Sequence, residues 1–95
     1  MVADDFWDVL GAKWTFQIIA TLADGPIHFN ALKRQLGIPG STLSARLDTL
    51  CEQSIVSRSV ENTSPPTVEY ALTPKGNEIA TVVNRLIEIE RKWTN

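Results

Sequence analysis

Apolar positions recur with a helical period along most of the chain and alternate with polar ones in one short stretch. Phe6, Trp7 and Leu10 share a face of a short first helix over about residues 3–11, with Asp4 or Asp5 as its cap. Gly11 interrupts the pattern. From about Lys13, Trp14, Ile18, Ile19 and Leu22 follow helical spacing until Gly25-Pro26, where glycine tolerates left-handed backbone and proline cannot continue the ladder. Ile27 to Phe29 predicts a short extended piece, and Asn30 caps a third helix over Ala31 to Leu36. After the tight turn Gly37-Ile38-Pro39, a fourth helix starts near Pro39 or Gly40. It places Leu43, Leu47 and Leu50 on one face and Ser41, Ser44, Ala45 and Asp48 on the other.

Ser54 to Val60 has strand character, and Val68 to Leu72 alternates as a half-buried strand does. The polar segment Glu61-Asn62-Thr63-Ser64-Pro65-Pro66 joins them, so the two runs predict a hairpin with a loop at its tip. Thr73-Pro74 then opens a last helix, with threonine as the cap and proline where a missing N–H does no harm. Ile79, Val82, Leu86, Ile89 and Trp93 follow 3-4-3-4 spacing, the seam of a helix that packs on another helix, and Val83 and Ile87 form a second stripe.

A short helix, a glycine turn, a longer helix and a hairpin make a helix-turn-helix with a wing. The predicted fold class is mainly α with a small β-hairpin, a winged helix-turn-helix in a single domain over residues 1–95. The terminal helices, about 3–11 and 74–93, are expected to form a dimer interface through Phe6, Trp7, Leu10, Ile79, Val82, Leu86, Ile89 and Trp93.

Charge adds a location. The net charge is −2, yet its distribution is uneven. Residues 1–24 carry Lys13 against Asp4, Asp5, Asp8 and Asp24, a net of −3. Residues 25–60 carry Lys33, Arg34, Arg46 and Arg58 against Asp48 and Glu52, a net of +2. Residues 61–95 carry Lys75, Arg85, Arg91 and Lys92 against Glu61, Glu69, Glu78, Glu88 and Glu90, a net of −1. Contact with a polyanion needs a local positive face rather than a basic total. The expected partner is double-stranded DNA, read by a recognition helix over about 40–53 in the major groove. The wing, about 61–67, lies on the backbone or in the minor groove. Small residues at Gly40, Ser41, Thr42, Ser44 and Ala45 let that helix approach base edges and phosphates. Arg46 and Arg58 are candidate phosphate clamps. Lys33, Arg34, Ser64 and Thr67 complete the expected DNA-contact set.

Four blocks carry a resemblance: Leu10-Gly11-Ala12-Lys13-Trp14, Gly25 to Leu32, Leu43-Ser44-Ala45-Arg46-Leu47 and, most specific, Pro65 to Gly76. Through them the chain resembles the HxlR-type regulators, a branch of the MarR-like winged helices. The resemblance implies a homodimer built from the terminal helices, a recognition helix near Gly40 to Gln53 and regulation of neighbouring genes. The chain departs from that pattern at Ala12, where glycine is usual, at His28 and Thr67, where arginine is frequent, and at Gly40, a slot often basic in related patterns. The stretch Leu36 to Leu43 is about one residue short. No cysteine precedes Cys51, so the N-terminal thiol switch of many relatives is not carried over.

The remaining chemistry is sparse. One cysteine excludes an internal disulfide framework and a Cys-based metal site. Cys51 borders the apolar face of its helix and is expected to act as a small hydrophobe. His28 is the only histidine and has no Cys or His nearby in sequence, so no metal or other cofactor is expected. Trp7, Trp14 and Trp93 read as core or interface anchors, and an unidentified small-molecule effector, if there is one, belongs at that Trp-rich interface. No nucleophile–base pair points to an enzyme. The apolar stretches are too short to span a bilayer and the start of the chain is acidic where a signal peptide is basic, giving an expected cytoplasmic location. The alternative function is a winged-helix interaction or dimerisation module without DNA binding, motivated by the charge of −2.

Overall fold

The computed structural model describes residues 3–94; Met1, Val2 and Asn95 lie outside the described residues. Within them the elements run α1 (Ala3–Gly11), α2 (Thr15–Leu22), β1 (Ile27–His28), α3 (Phe29–Leu36), α4 (Gly40–Glu52), β2 (Val56–Glu61), β3 (Thr67–Leu72) and α5 (Pro74–Trp93). This is a winged helix, mostly helical with one small antiparallel sheet.

Several boundaries differ from the sequence reading, each for a local reason. Asp4 and Asp5 lie inside the first turn of α1 rather than before it. Trp14 takes a left-handed φ of 80°, which breaks the helical path, so α2 starts at Thr15 and not at Lys13. The Thr15 hydroxyl donates to the Val9 carbonyl at 3.0 Å and ties α2 back to α1. Asn30 is not the cap of α3: the helix begins at Phe29, and His28, held extended by sheet pairing, precedes it without any side-chain cap.

The sheet has order β1-β3-β2. The expected hairpin is present, and Ile27–His28 adds a third strand through the pairs Ile27↔Tyr70 and His28↔Glu69. Pairing of β2 with β3 extends to Glu61↔Thr67, so both residues belong to strands and the connecting loop is only 62–66. At its other end β2 starts at Val56 rather than Ser54, because Ser54 has a φ of 58° and the Ile55 N–H still bonds the Leu50 carbonyl.

One core collects the apolar faces: Ile18, Ile19 and Leu22 from α2, Leu32 from α3, Leu43, Leu47 and Leu50 from α4, then Ile55, Val56, Tyr70, Ala80 and Val83. Each fully buried aliphatic side chain of this kind contributes about 2 kcal/mol. Ile38, in the turn before α4, is also buried. It plugs the turn into the core, which helical periodicity could not show.

The start of α5 is latched to the end of α4. The Thr73 hydroxyl accepts from the Gly76 N–H at 3.0 Å, as a helix cap does, and donates to the Ser54 carbonyl at 2.6 Å. The Lys75 ammonium donates to the Gln53 carbonyl at 2.7 Å and lies over the Phe6 ring. Gly76 is buried against the Ile55 carbonyl oxygen, where an added Cβ would collide with backbone.

Candidate nucleic-acid interface

α3 and α4 form the helix-turn-helix. Gly37 ends α3 with a left-handed φ of 65°, and its N–H bonds the Lys33 carbonyl at 3.0 Å. Pro39 follows in extended backbone and its carbonyl accepts from Leu43 N–H at 2.9 Å, starting α4. Because Leu43, Leu47 and Leu50 are buried, the opposite face of α4 must point outward. Ser41, Ser44, Ala45 and Asp48 are exposed, and Gly40, Thr42 and Arg46 are half-buried.

A cation lies beside Gly40. The Lys33 side chain runs beside Gly40, its Cε and Nζ each 3.6 Å from where a Cβ would stand. An ammonium therefore sits at the N-terminus of α4, where free helix N–H groups already favour an anion. A larger side chain at 40 would compete with Lys33 for that space. Arg34, on the same helix, is exposed.

The two expected clamps are placed differently. Arg46 donates through Nε to the Lys13 carbonyl at 2.8 Å, so it braces the α1–α2 junction and orients its guanidinium from there. Arg58 lies on β2, exposed, paired with Tyr70 and close enough to Cys51 for its charge to act on the thiol. It thus stands by the later part of α4, away from Gly40.

A groove of 360 Å³ runs between α4 and the wing, lined by His28, Phe29, Asn30, Ser44, Pro66, Thr67, Val68 and Tyr70. It brings Ser44 and Thr67 to one place. The Thr67 hydroxyl is already engaged, donating to Glu61 Oε1 at 2.8 Å. In the tip, Ser64 is exposed and Thr63 donates to the Pro65 carbonyl at 2.6 Å. His28 Nε2 meets Glu61 Oε1 at 2.6 Å. That contact holds the imidazole above its ordinary pKa and, with the Thr67 bond, holds Glu61 below the usual carboxylate value. His28 therefore bonds within the wing base.

The expected interface residues divide into two groups. Trp7, Val82, Leu86, Ile89 and Trp93 are exposed. Phe6, Leu10 and Ile79 pack partly against their own core. Phe16, which was not among the expected interface residues, is also exposed and lines a groove of 310 Å³ between α2 and α5 with Gln17, Val83, Leu86, Ile87 and Glu90. Its signal in the sequence is an aromatic on α2 that flanks the core stripe of Ile18, Ile19 and Leu22. Cys51 is half-buried, and burial, reinforced by Asp48, raises its thiol pKa.

This winged geometry coincides with a known sequence pattern. The model of the HxlR-like helix-turn-helix family matches residues 9–95. The chain belongs to this family. It is 42% identical over 82 residues to an uncharacterised HTH-type transcriptional regulator of Halalkalibacterium halodurans, covering 84% of this chain and 73% of that one. Its fold superposes with a TM-score of 0.87 on a crystal structure assigned to the MarR family from Porphyromonas gingivalis, at 26% identity, covering 98% of this chain and 92% of that one. The redox regulator HypR in its oxidised form gives the same TM-score of 0.87 at 29% identity, covering 100% of this chain and 99% of that one. This HxlR-like chain is thus of the helix-turn-helix transcriptional regulator type, a class of regulators and not of enzymes. No helix among the described residues is long and apolar enough to cross a membrane.

Proposed function

We propose that this HxlR-like chain is a sequence-specific DNA-binding regulator that works as a homodimer of one winged-helix domain over residues 1–95. The observation that carries the reading is the outer face of α4. It presents the small residues Ser41, Ser44 and Ala45 to solvent, with the Lys33 ammonium beside Gly40 at its N-terminus. A face of that kind admits close approach to base edges, while the cation and the helix end attract a phosphate. Ser41, Thr42 and Ser44 supply hydrogen bonds for readout; Lys33, Arg34, Arg46 and Arg58 supply salt-sensitive attraction. The wing tip with Ser64, and Thr67 at its base, follow the backbone or the minor groove.

Dimerisation is supported by the uncovered stripe of α5. Val82, Leu86, Ile89 and Trp93 form one apolar seam on a helix about 30 Å long. Trp7 and Phe16 add further uncovered aromatic surface. Contiguous apolar surface of this kind marks a contact with another molecule. Two-fold pairing would then set two copies of α4 on half-sites about one helical turn apart.

The test is a fluorescence anisotropy titration of a random duplex pool at several salt concentrations. The reading predicts binding whose log affinity falls linearly with log salt. Lys33→Ala should flatten that slope by about 1. Absence of salt-dependent binding would favour the second reading, an interaction module without DNA binding, for which the specific observation is the pair of carboxylates Glu61 and Glu69 at the wing base.

A further inference from the structure

Three residues far apart in sequence meet on one face of the sheet. Directly paired residues of antiparallel strands share a face, and residues two apart on a strand do so too. His28 pairs with Glu69 across β1 and β3, and Glu61 pairs with Thr67 across β2 and β3, two positions from Glu69. The register therefore collects one imidazole and two carboxylates from all three strands. A ring nitrogen of His28 and one oxygen from each of Glu61 and Glu69 all lie within 4.8 Å of one another.

We propose that His28, Glu61 and Glu69 form a divalent transition-metal site of the zinc class at the base of the wing. One nitrogen and two carboxylate oxygens match the donors that borderline cations accept, with three protein ligands and a remaining position for water. Distances below 4.8 Å between exposed or half-buried side chains close to a coordination sphere by small rotations. Glu61 is already oriented by an outer partner, since Thr67 donates to its Oε1 at 2.8 Å. Glu69 is half-buried, and its carboxylate makes no hydrogen bond or ion pair among the described residues. A dication between the two carboxylates would neutralise both charges.

Two consequences follow. Metal would tie β1, and with it the start of α3, to both strands of the wing, fixing the wing against the helix-turn-helix. It would also cancel two negative charges beside the groove shared with Ser44, favouring a phosphate there; this second consequence rests on the DNA-binding reading above. Sequence spacing hides the cluster, because the pairing of β1 with β3 is what brings His28 to the two carboxylates.

The experiment is zinc titration of the full chain against a chromophoric chelator, without DNA, with magnesium as the comparison cation. The expected result is one zinc per chain, preferred over magnesium, with Cys51→Ser unchanged. His28→Ala, Glu61→Gln and Glu69→Gln should each weaken it by at least about tenfold, the scale that even outer-shell partners carry at metal sites. Circular dichroism of the three variants should match the parent, since none of these side chains lies in the core. No stoichiometric zinc uptake, or equal affinity in all three variants, would overturn the proposal. The chelator competition reads metal alone, so failure of DNA binding in the anisotropy titration leaves its outcome distinct.

Discussion

At its start α5 is covered; along its outer side it is not. Gly76, Ala80 and Val83 are buried against the rest of the chain, and Thr73 and Lys75 bond the Ser54 and Gln53 carbonyls. One residue away from Val83, which is 2% exposed, Val82 is 60% exposed, and Trp93 at the far end is 77% exposed. The inner face is satisfied within one chain, whereas the outer face leaves Val82, Leu86, Ile89 and Trp93 without cover among the described residues. The first describes what folds the monomer. The second is the surface that the proposed partner copy would cover.

The largest effect expected from breaking this contrast is at the covered end. Gly76→Ala puts a Cβ into the Ile55 carbonyl, and neither backbone can yield cheaply. Urea unfolding should show a loss of about 3 kcal/mol, at the upper end of overpacking costs. A loss below about 0.5 kcal/mol, the size of an ordinary surface change, would mean that the latch is loose.

Charging the uncovered face should leave the fold intact and remove association. Leu86→Glu combined with Ile89→Glu is expected to weaken dimerisation by about 100-fold or more, near 3 kcal/mol, because two carboxylates would lose water on pairing. Sedimentation velocity reads the change, and far-UV circular dichroism should stay as in the parent. An unchanged sedimentation profile would move the interface off this seam.

Arg46→Ala is expected to act twice. Loss of the bond to the Lys13 carbonyl should cost about 1 kcal/mol in denaturation. DNA affinity should fall on all sequences, with the salt slope reduced by about 1. If stability falls and the slope stays, Arg46 is a brace alone.

The smallest effect concerns Cys51. Burial raises its thiol pKa, and the Asp48 charge adds to that while Arg58 opposes it. The thiolate fraction near neutral pH is therefore lower than for a free cysteine. A disulfide reagent should modify the folded chain at least about tenfold more slowly than the chain in denaturant. Equal rates would make Cys51 a reactive thiol instead of a shielded one.

Helical periodicity made the architecture legible. The stripes Leu43-Leu47-Leu50 and Ile79-Val82-Leu86-Ile89 placed α4 and α5 within a residue or so, and Thr73-Pro74 marked the start of α5 through the cap that forms. Long-range pairing was not legible. Two residues, Ile27 and His28, are too short a run to show alternation, so their joining β3 could not be read, and with it went the cluster at Glu61 and Glu69. Trp14 at a left-handed φ and Ile38 in the core are likewise tertiary outcomes. In the candidate interface, residue types on α4 identified the outward face, while the tether of Arg46 to Lys13 and the place of Lys33 beside Gly40 depend on how α3 and the α1–α2 junction pack.

The central claim is a two-fold pair of α4 helices reading DNA. Selection of bound duplexes from a random library by the full chain tests it most directly. Two-fold pairing predicts enrichment of an inverted repeat with half-sites about one helical turn apart. Recovery of a pool as random as the input, or of a single half-site without symmetry, would contradict it.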